Sequence, residues 1–203
     1  MTYTLRLTDG PAVEPVTLGE AKGHLSIAHD EDDALITRLI KAARTYFETA
    51  TGITLVTQTF AATFGEWPKV YGLEDDEDEY SPVVPSYRNL PQLDLIALPF
   101  QSVEIITADA EAWTAFTAVK TARGVRIKPT STVPSGEIVV TFKAGYGDAA
   151  ATVPSDIAHA ILMLVATLYD NRGALALDTS GMKAASGMVP GFAETINRYR
   201  VMV

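Results

Sequence analysis

The order of hydrophobic periods constrains this chain most: a helical period, then a strand period, then a helical period again. Leu35, Leu39, Ala42 and Tyr46 form one i, i+4, i+7, i+11 column, and Ile36, Ile40, Ala43 and Phe47 form the column beside it. Thr37, Lys41, Arg44 and Glu48 fall on the opposite side. The spacing therefore predicts an amphipathic helix with one wet face, closed by Gly52 as a C-terminal cap. Asp30, Glu31, Asp32 and Asp33 set negative charge at its positive end. Upstream, Thr17 and Glu20 have the spacing of a reciprocal capping box, so a short helix should run to about Ser26, weakened by Gly19 and Gly23. The helical period returns at Pro154-Ser155-Asp156 and predicts a helix to about Arg172. Ile157, Ile161, Leu164 and Leu168 form its stripe, and Leu162, Met163 and Val165 fill the flanks. A helix apolar nearly all round needs cover on more than one side, and neighbouring subunits are one source of it.

Between these helices the period is two. Phe60, Ala62 and Phe64 share one strand face, with Thr57, Thr59 and Thr63 on the other. Strand-like segments recur at 93–98, 102–107, 113–116, 124–128 and 137–142. The run from Ile138 to Phe142 is apolar enough for cover on both faces. The two helical stretches share one core only if the β region is inserted between them. The fold class expected is α+β: a discontinuous helical module, residues 17–52 and 153–203, carrying a small antiparallel β domain at 53–152. Residues 1–16 read as an extended arm, with Pro11 and Pro15 fixing backbone and Tyr3/Leu5/Leu7 offering a strand edge. Residues 65–91, with prolines and an acidic run, read as a long loop. Four glycines and little periodicity from Gly173 to Gly191 predict a mobile tail over 173–203, ending in one short helix from Phe192.

Composition removes whole classes of chemistry. Without cysteine there are no disulfides, thiolate metal sites or thiol nucleophiles. The formal charge is −9, and six acids stand together from Glu74 to Glu79, so high-affinity nucleic-acid binding is not expected. The start lacks a basic-then-apolar leader pattern, and the longest apolar run, Ala160 to Ala166, is far short of the ~20 residues of a membrane span. The expectation is a soluble protein made in the cytoplasm, with no membrane partner.

Few residues offer chemistry. His24 and His29 lie five apart beside Asp30, Asp32 and Asp33, which are ligand types for a metal. Their spacing fits neither a His-Glu-x-x-His helix nor a calcium loop, whose sixth position needs glycine where this chain has Leu35. His159 reads as a packed or interfacial histidine. Ser180-Gly181-Met182-Lys183 has Ser-x-x-Lys spacing, but no Ser-Asp-Asn or Lys-Thr-Gly accompanies it. Gly145-Tyr146-Gly147 lacks both the third glycine of a dinucleotide fingerprint and the Gly-Lys-Ser/Thr of a P-loop, leaving a tight strand exit. The acidic run has three readings: a calcium-binding loop, a charged lumen lining, or a solvated loop tip. No catalytic residue, metal or cofactor is expected.

Several segments together carry a resemblance. Val16-Thr17-Leu18-Gly19-Glu20-Ala21-Lys22-Gly23-His24-Leu25 precedes Asp32-Asp33-Ala34-Leu35-Ile36, then Leu39-Ile40-Lys41-Ala42-Ala43-Arg44 and Glu48…Thr51-Gly52. Further on stand Leu98-Pro99-Phe100-Gln101-Ser102-Val103, Phe142-Lys143-Ala144-Gly145-Tyr146-Gly147, Val153-Pro154-Ser155-Asp156-Ile157 and Leu168-Tyr169-Asp170-Asn171-Arg172. In this order, over residues 16 to 172, the chain resembles the head–tail connector, or adaptor, family of tailed bacteriophages and phage-derived gene transfer agents.

The resemblance implies a structural protein without catalysis, found at the head–tail junction of the particle and made in a bacterial host. It implies a ring of copies, commonly twelve, beneath the portal protein, extending the DNA channel and docking a stopper or other tail-side component. DNA would pass through without high-affinity binding. The C-terminal segment of such adaptors reaches onto the portal, which points to Phe192, Tyr199, Arg200 and Met202 as contacts. An acidic excursion facing a channel would repel the duplex, which points to Glu74, Asp75, Asp76, Glu77, Asp78 and Glu79 as channel-facing. Residues 72–91 match no shared family motif, and Gly19 and Gly23 soften a helix usually richer in alanine. Two rival readings are a stand-alone module binding a small ligand or peptide, with a defined apolar pocket, and a serine acyltransferase using Ser180 and Lys183.

Overall fold

The computed structural model describes residues 3–67, 92–173, 179–189 and 191–200. Its compact units are a helical one, Gly10–Gln58 with Gly145–Val203, and a β one, Met1–Asp9 with Thr59–Ala144. Glu74–Glu79 and Met202 lie outside the described residues.

In the helical unit, α1 (Leu18–Leu25) starts with the capping box read from sequence: Glu20 N donates to Thr17 Oγ1 at 3.2 Å, and Thr17 N donates to the Glu20 carboxylate at 2.7 Å. The longer α2 (Asp33–Thr51) buries Ile36, Leu39, Ile40, Ala43 and Phe47, and ends at Gly52 with φ of 73°. Facing it, α3 (Ser155–Asp170) buries Ile157, Ile161, Leu164, Val165 and Leu168, while Leu162 and Met163 stay half-buried. Burying these side chains supplies the unit's stability, at roughly 1.5–3 kcal/mol for each large one.

Two expectations for this unit change. The wet face of α2 is not wet throughout, because Arg44 is only 6% exposed. The stretch without helical period contains a helix, α4 (Thr179–Met188), followed by α5 (Phe192–Tyr199). Met182 and Ala185 of α4 are buried, and Ser186 Oγ lies 3.0 Å from Tyr46 Oη. Glycine and serine lower helix propensity here, but tertiary packing of the Met182/Ala185/Val189 stripe outweighs that cost.

The β unit holds two antiparallel sheets. Its strands are β1 (Thr4–Asp9), β2 (Gln58–Phe64), β3 (Leu93–Ile96), β4 (Phe100–Ala108), β5 (Glu111–Ala112), β6 (Phe116–Thr121), β7 (Gly124–Pro129) and β8 (Ile138–Ala144). One sheet runs β1-β2-β8-β4-β5 and the other β3-β7-β6. Phe64, Ile106, Val140 and Phe142 from the first and Leu93, Leu95, Val125 and Ile127 from the second form one apolar core. Tyr3 ties the sheets together: its ring packs on Phe64 at 5.1 Å and its hydroxyl accepts from Ile96 N at 3.3 Å.

The α+β class with an antiparallel β part is what the periods predicted. Residues 113–115 are not part of a strand, however, and Phe116 instead begins β6. They form an aromatic turn in which Phe116 N donates to the Thr114 carbonyl at 2.9 Å and Trp113 packs on Trp67 and Phe116. The neighbouring β6 escapes a periodicity reading because all of it beyond Phe116 is exposed. In β8, Ile138, Val140, Phe142 and Ala144 are buried but Val139, Thr141 and Lys143 are half-buried, so one face alone is fully covered.

Candidate assembly surfaces

The chain passes between units at three places, Asp9/Gly10, Gln58/Thr59 and Ala144/Gly145, and in the helical unit the last two passages run side by side. Tyr146 N donates to the Leu55 carbonyl at 3.0 Å, and Thr57 N donates to the Gly147 carbonyl at 3.0 Å. Gly145 has φ of 138°, and a Cβ there would stand 2.6 Å from Val56 C and Thr57 N. Only glycine fits this approach. The Gly145-Tyr146-Gly147 segment is thus a backbone clasp, its Tyr146 amide committed to Leu55 instead of to an anion.

Next to the clasp lies a polar network that periodicity did not find. Arg44 Nε donates to Glu14 Oε2 and Arg44 Nη1 to Glu48 Oε2, each at 2.7 Å. The other Glu48 oxygen accepts from Leu55 N at 2.9 Å and Gln58 Nε2 at 2.7 Å. Burial pushes the Glu48 carboxyl above its ordinary range, opposed by the Leu55 amide and by Arg44. The network joins the strap before α1, the end of α2 and the entrance to β2. Its sequence signal was weak: Arg44 and Glu48 are i, i+4, but nothing nearby marks Glu14 as their third member.

The acids before α2 do more than meet the helix dipole. Lys22 Nζ donates to Asp30 at 2.5 Å and Asp33 at 2.7 Å, and Tyr169 Oη donates to Asp32. Arg172 Nη1 is 3.8 Å from Asp32. Asp30 first, then Asp33, raises the Lys22 ammonium above its usual value, and Lys22 holds Asp30 below the usual carboxylate range. These acids fasten α1 and α3 to the start of α2. His24 meets His159, not His29, with ring centroids 6.1 Å apart. Among the described residues no group of three or more His, Asp and Glu is placed to hold a metal ion. Ser180 and Lys183 are both exposed on α4, with no hydrogen bond between them among the described residues.

The end of the chain packs on the helical unit. Phe192 is 1% exposed, its ring 6.1 Å from Phe47 and 6.4 Å from Tyr46. Tyr199 Oη donates to Asp156 at 3.0 Å and Arg198 Nη1 lies 3.2 Å from the same carboxylate. Burial first, then the Asp156 hydrogen bond, raises the Tyr199 phenol. Arg200 Nε donates to the Ala50 carbonyl at 3.3 Å. Of the portal-contact residues read from sequence, Phe192 is inside this protomer, Tyr199 is half-buried and Arg200 is exposed.

The helical unit also has an apolar groove of about 470 Å³, walled by Val13, Val16, Leu18 and Ile40 and rimmed by Glu14 and Asp148. In the β unit, β1 and β4 carry exposed apolar side chains: Leu5 is 48% exposed, Leu7 50% and Ile105 44%.

Residues 15–114 match the phage gp6-like head-tail connector protein family. Among solved structures, the chain is similar to a chain in the neck of an empty GTA particle computed with C6 symmetry, with a TM-score of 0.69 and 18% identity. It is also similar to a chain in the virion of a native gene transfer agent (GTA) particle, at 0.66 and 20%. A third likeness, at 0.61 and 21%, is to the neck of a native GTA particle computed with C12 symmetry. Each covers 98% of this chain and 96% of the other, and at such identities the likeness is one of fold. No curated protein matches the sequence.

Proposed function

We propose that this chain, whose residues 15–114 match the phage gp6-like head-tail connector family, is the adaptor subunit of a phage-type particle. A structural connector role is the family's own. The finer reading is a ring of copies beneath the portal that extends the DNA channel and docks the next tail-side component. The family match carries this reading. Likeness of fold along 98% of the chain to proteins of GTA necks supports it. Connectors act by assembly, and the reading calls on no catalytic group.

The portal-facing surface we assign to the end of α5, with Tyr199, Arg200 and Met202 as contacts. Phe192 serves that surface from beneath, by anchoring α5 to Phe47. Glu74–Glu79 we assign to the channel on charge alone, and an assembled ring showing them on the outer rim would remove that assignment.

The test is co-sedimentation of the full chain with portal rings of its own particle, beside Arg200→Glu. Truncation at Arg172 is unsuitable because it deletes Met182, Ala185 and Phe192 from the core. The full chain should pellet with the rings and Arg200→Glu should pellet less. Equal binding by both would move the portal contact elsewhere, and no binding by either would overturn the adaptor reading. Saturable binding of a peptide in the Val13–Ile40 groove by a stable monomer would then favour the stand-alone module.

A further inference from the structure

The helical unit carries a hole and a knob. The hole is the groove walled by Val13, Val16, Leu18 and Ile40, held open by the capped start of α1 and the packed face of α2. Its rim is acidic. Glu14 already serves Arg44, whereas Asp148 is exposed and has no ion pair among the described residues. In the described part of this unit only two large apolar side chains are exposed, Val13 at 41% and Met188 at 56%. Val13 belongs to the groove, and Met188 is the knob.

Met188 ends the exposed side of α4, which it shares with Lys183, while Met182 and Ala185 are buried on the other side. A helix face turned to water normally carries several charges, and this one pairs a single lysine with an unbranched methionine suited to filling an irregular hollow. Knob and hole lie apart in the protomer. Ser186 Oγ of α4 meets Tyr46 Oη of α2 at 3.0 Å, whereas the groove reaches α2 at Thr37. Thr37 and Tyr46 are about two and a half turns apart, so they stand on opposite sides of that helix.

We propose that copies of this chain join through the helical unit, Met188 of one seated in the Val13–Ile40 groove of the next and Lys183 beside Asp148. The contact takes Met188 and Val13 out of water and sets an exposed cation against an exposed anion. A Cβ at Gly187 would meet nothing within 4 Å, so the turn of α4 that carries Met188 lies open to a close approach. A knob and a hole on different sides of one body make a head-to-tail contact, which repeats from copy to copy and closes in a cyclic ring. The inference rests on the ring reading above and names the surfaces that build the ring.

Because the chain has no cysteine, the contact can be trapped chemically. Full chains carrying Val13→Cys, Ala184→Cys or both are treated with a short bismaleimide, alone at high concentration and on portal rings. The double variant should give a ladder beyond dimers. Each single variant alone should stay uncrosslinked, and an equal mixture of the two should stop at dimers. Dimers from Ala184→Cys alone would overturn the proposal, because α4 would then meet its own copy. Rings visible by electron microscopy without crosslinking of the double variant would overturn the proposal and leave the ring reading intact. No oligomer in either setting would overturn both and leave the groove to a peptide partner. As a second arm, Gly187→Gln places its side chain in open space within the protomer, so the thermal midpoint should hold. The concentration for half-assembly should rise about tenfold, and an unchanged one would overturn the proposal. Lys183→Glu or Asp148→Lys alone should weaken assembly, and the two together should restore it.

Discussion

The helical unit is closed and the β unit is open. In the helical unit the buried arginine has two carboxylate partners, the acids before α2 are fastened to Lys22 and Tyr169, and Phe192 near the end of the chain lies in the core. The β unit has an equally dry centre, yet β1 pairs with β2 alone among the described residues and all six of its residues are exposed. A protomer that assembles needs both characters. One part must hold its shape before the partner arrives, and another must keep hydrogen-bonding capacity and apolar surface in reserve.

That contrast can be broken first at Phe192. Phe192→Ala should cost about 3–5 kcal/mol in urea unfolding, because the residue closes a packed core. A change near zero would mean that the end of the chain is not part of the helical unit. Arg44→Met should cost about 3 kcal/mol, since it leaves the half-buried Glu14 and Glu48 without their cation. Gly145→Ala should cost about 2 kcal/mol by straining the clasp, read as a fall in thermal midpoint.

Glu48 sharpens the comparison through pH. Its carboxyl is raised above the 4.5 of an unperturbed glutamate, so the folded state holds that proton more tightly than the unfolded chain. Its contribution to stability is therefore full below the unfolded value and lost as pH rises through the folded one. Unfolding free energies of Glu48→Gln and the parent, measured from pH 4 to pH 7, should differ in slope, the parent alone losing this increment. The smallest effect on stability belongs to the open unit: Leu7→Thr, half-exposed on β1, should stay within about 0.5 kcal/mol of the parent in urea unfolding.

What the sequence disclosed follows the same division. Thr17 with Glu20, the columns through Ile40 and Phe47, and Gly52 mark α1 and α2 because caps and periods are local. Arg44 was misread as solvated because its burial depends on Glu14, thirty residues away. The α4 helix was hidden by Gly181 and Gly187, although Met182, Ala185 and Val189 recur at helical spacing. In the β unit the alternation of Val125 and Ile127 gave β7, whereas exposed β6 had no apolar face to reveal it. Tyr3, Leu5 and Leu7 disclosed a strand edge. That this strand pairs with β2 at one end of a five-stranded sheet emerges only once the strand order is known.

The most direct test of the adaptor reading is a cryo-electron-microscopy reconstruction of the neck of the particle that carries this chain. The account predicts a closed ring of copies against the portal, with the ends of α5 on the portal side. A neck in which this chain is absent, or lies as isolated copies away from the portal, would contradict it.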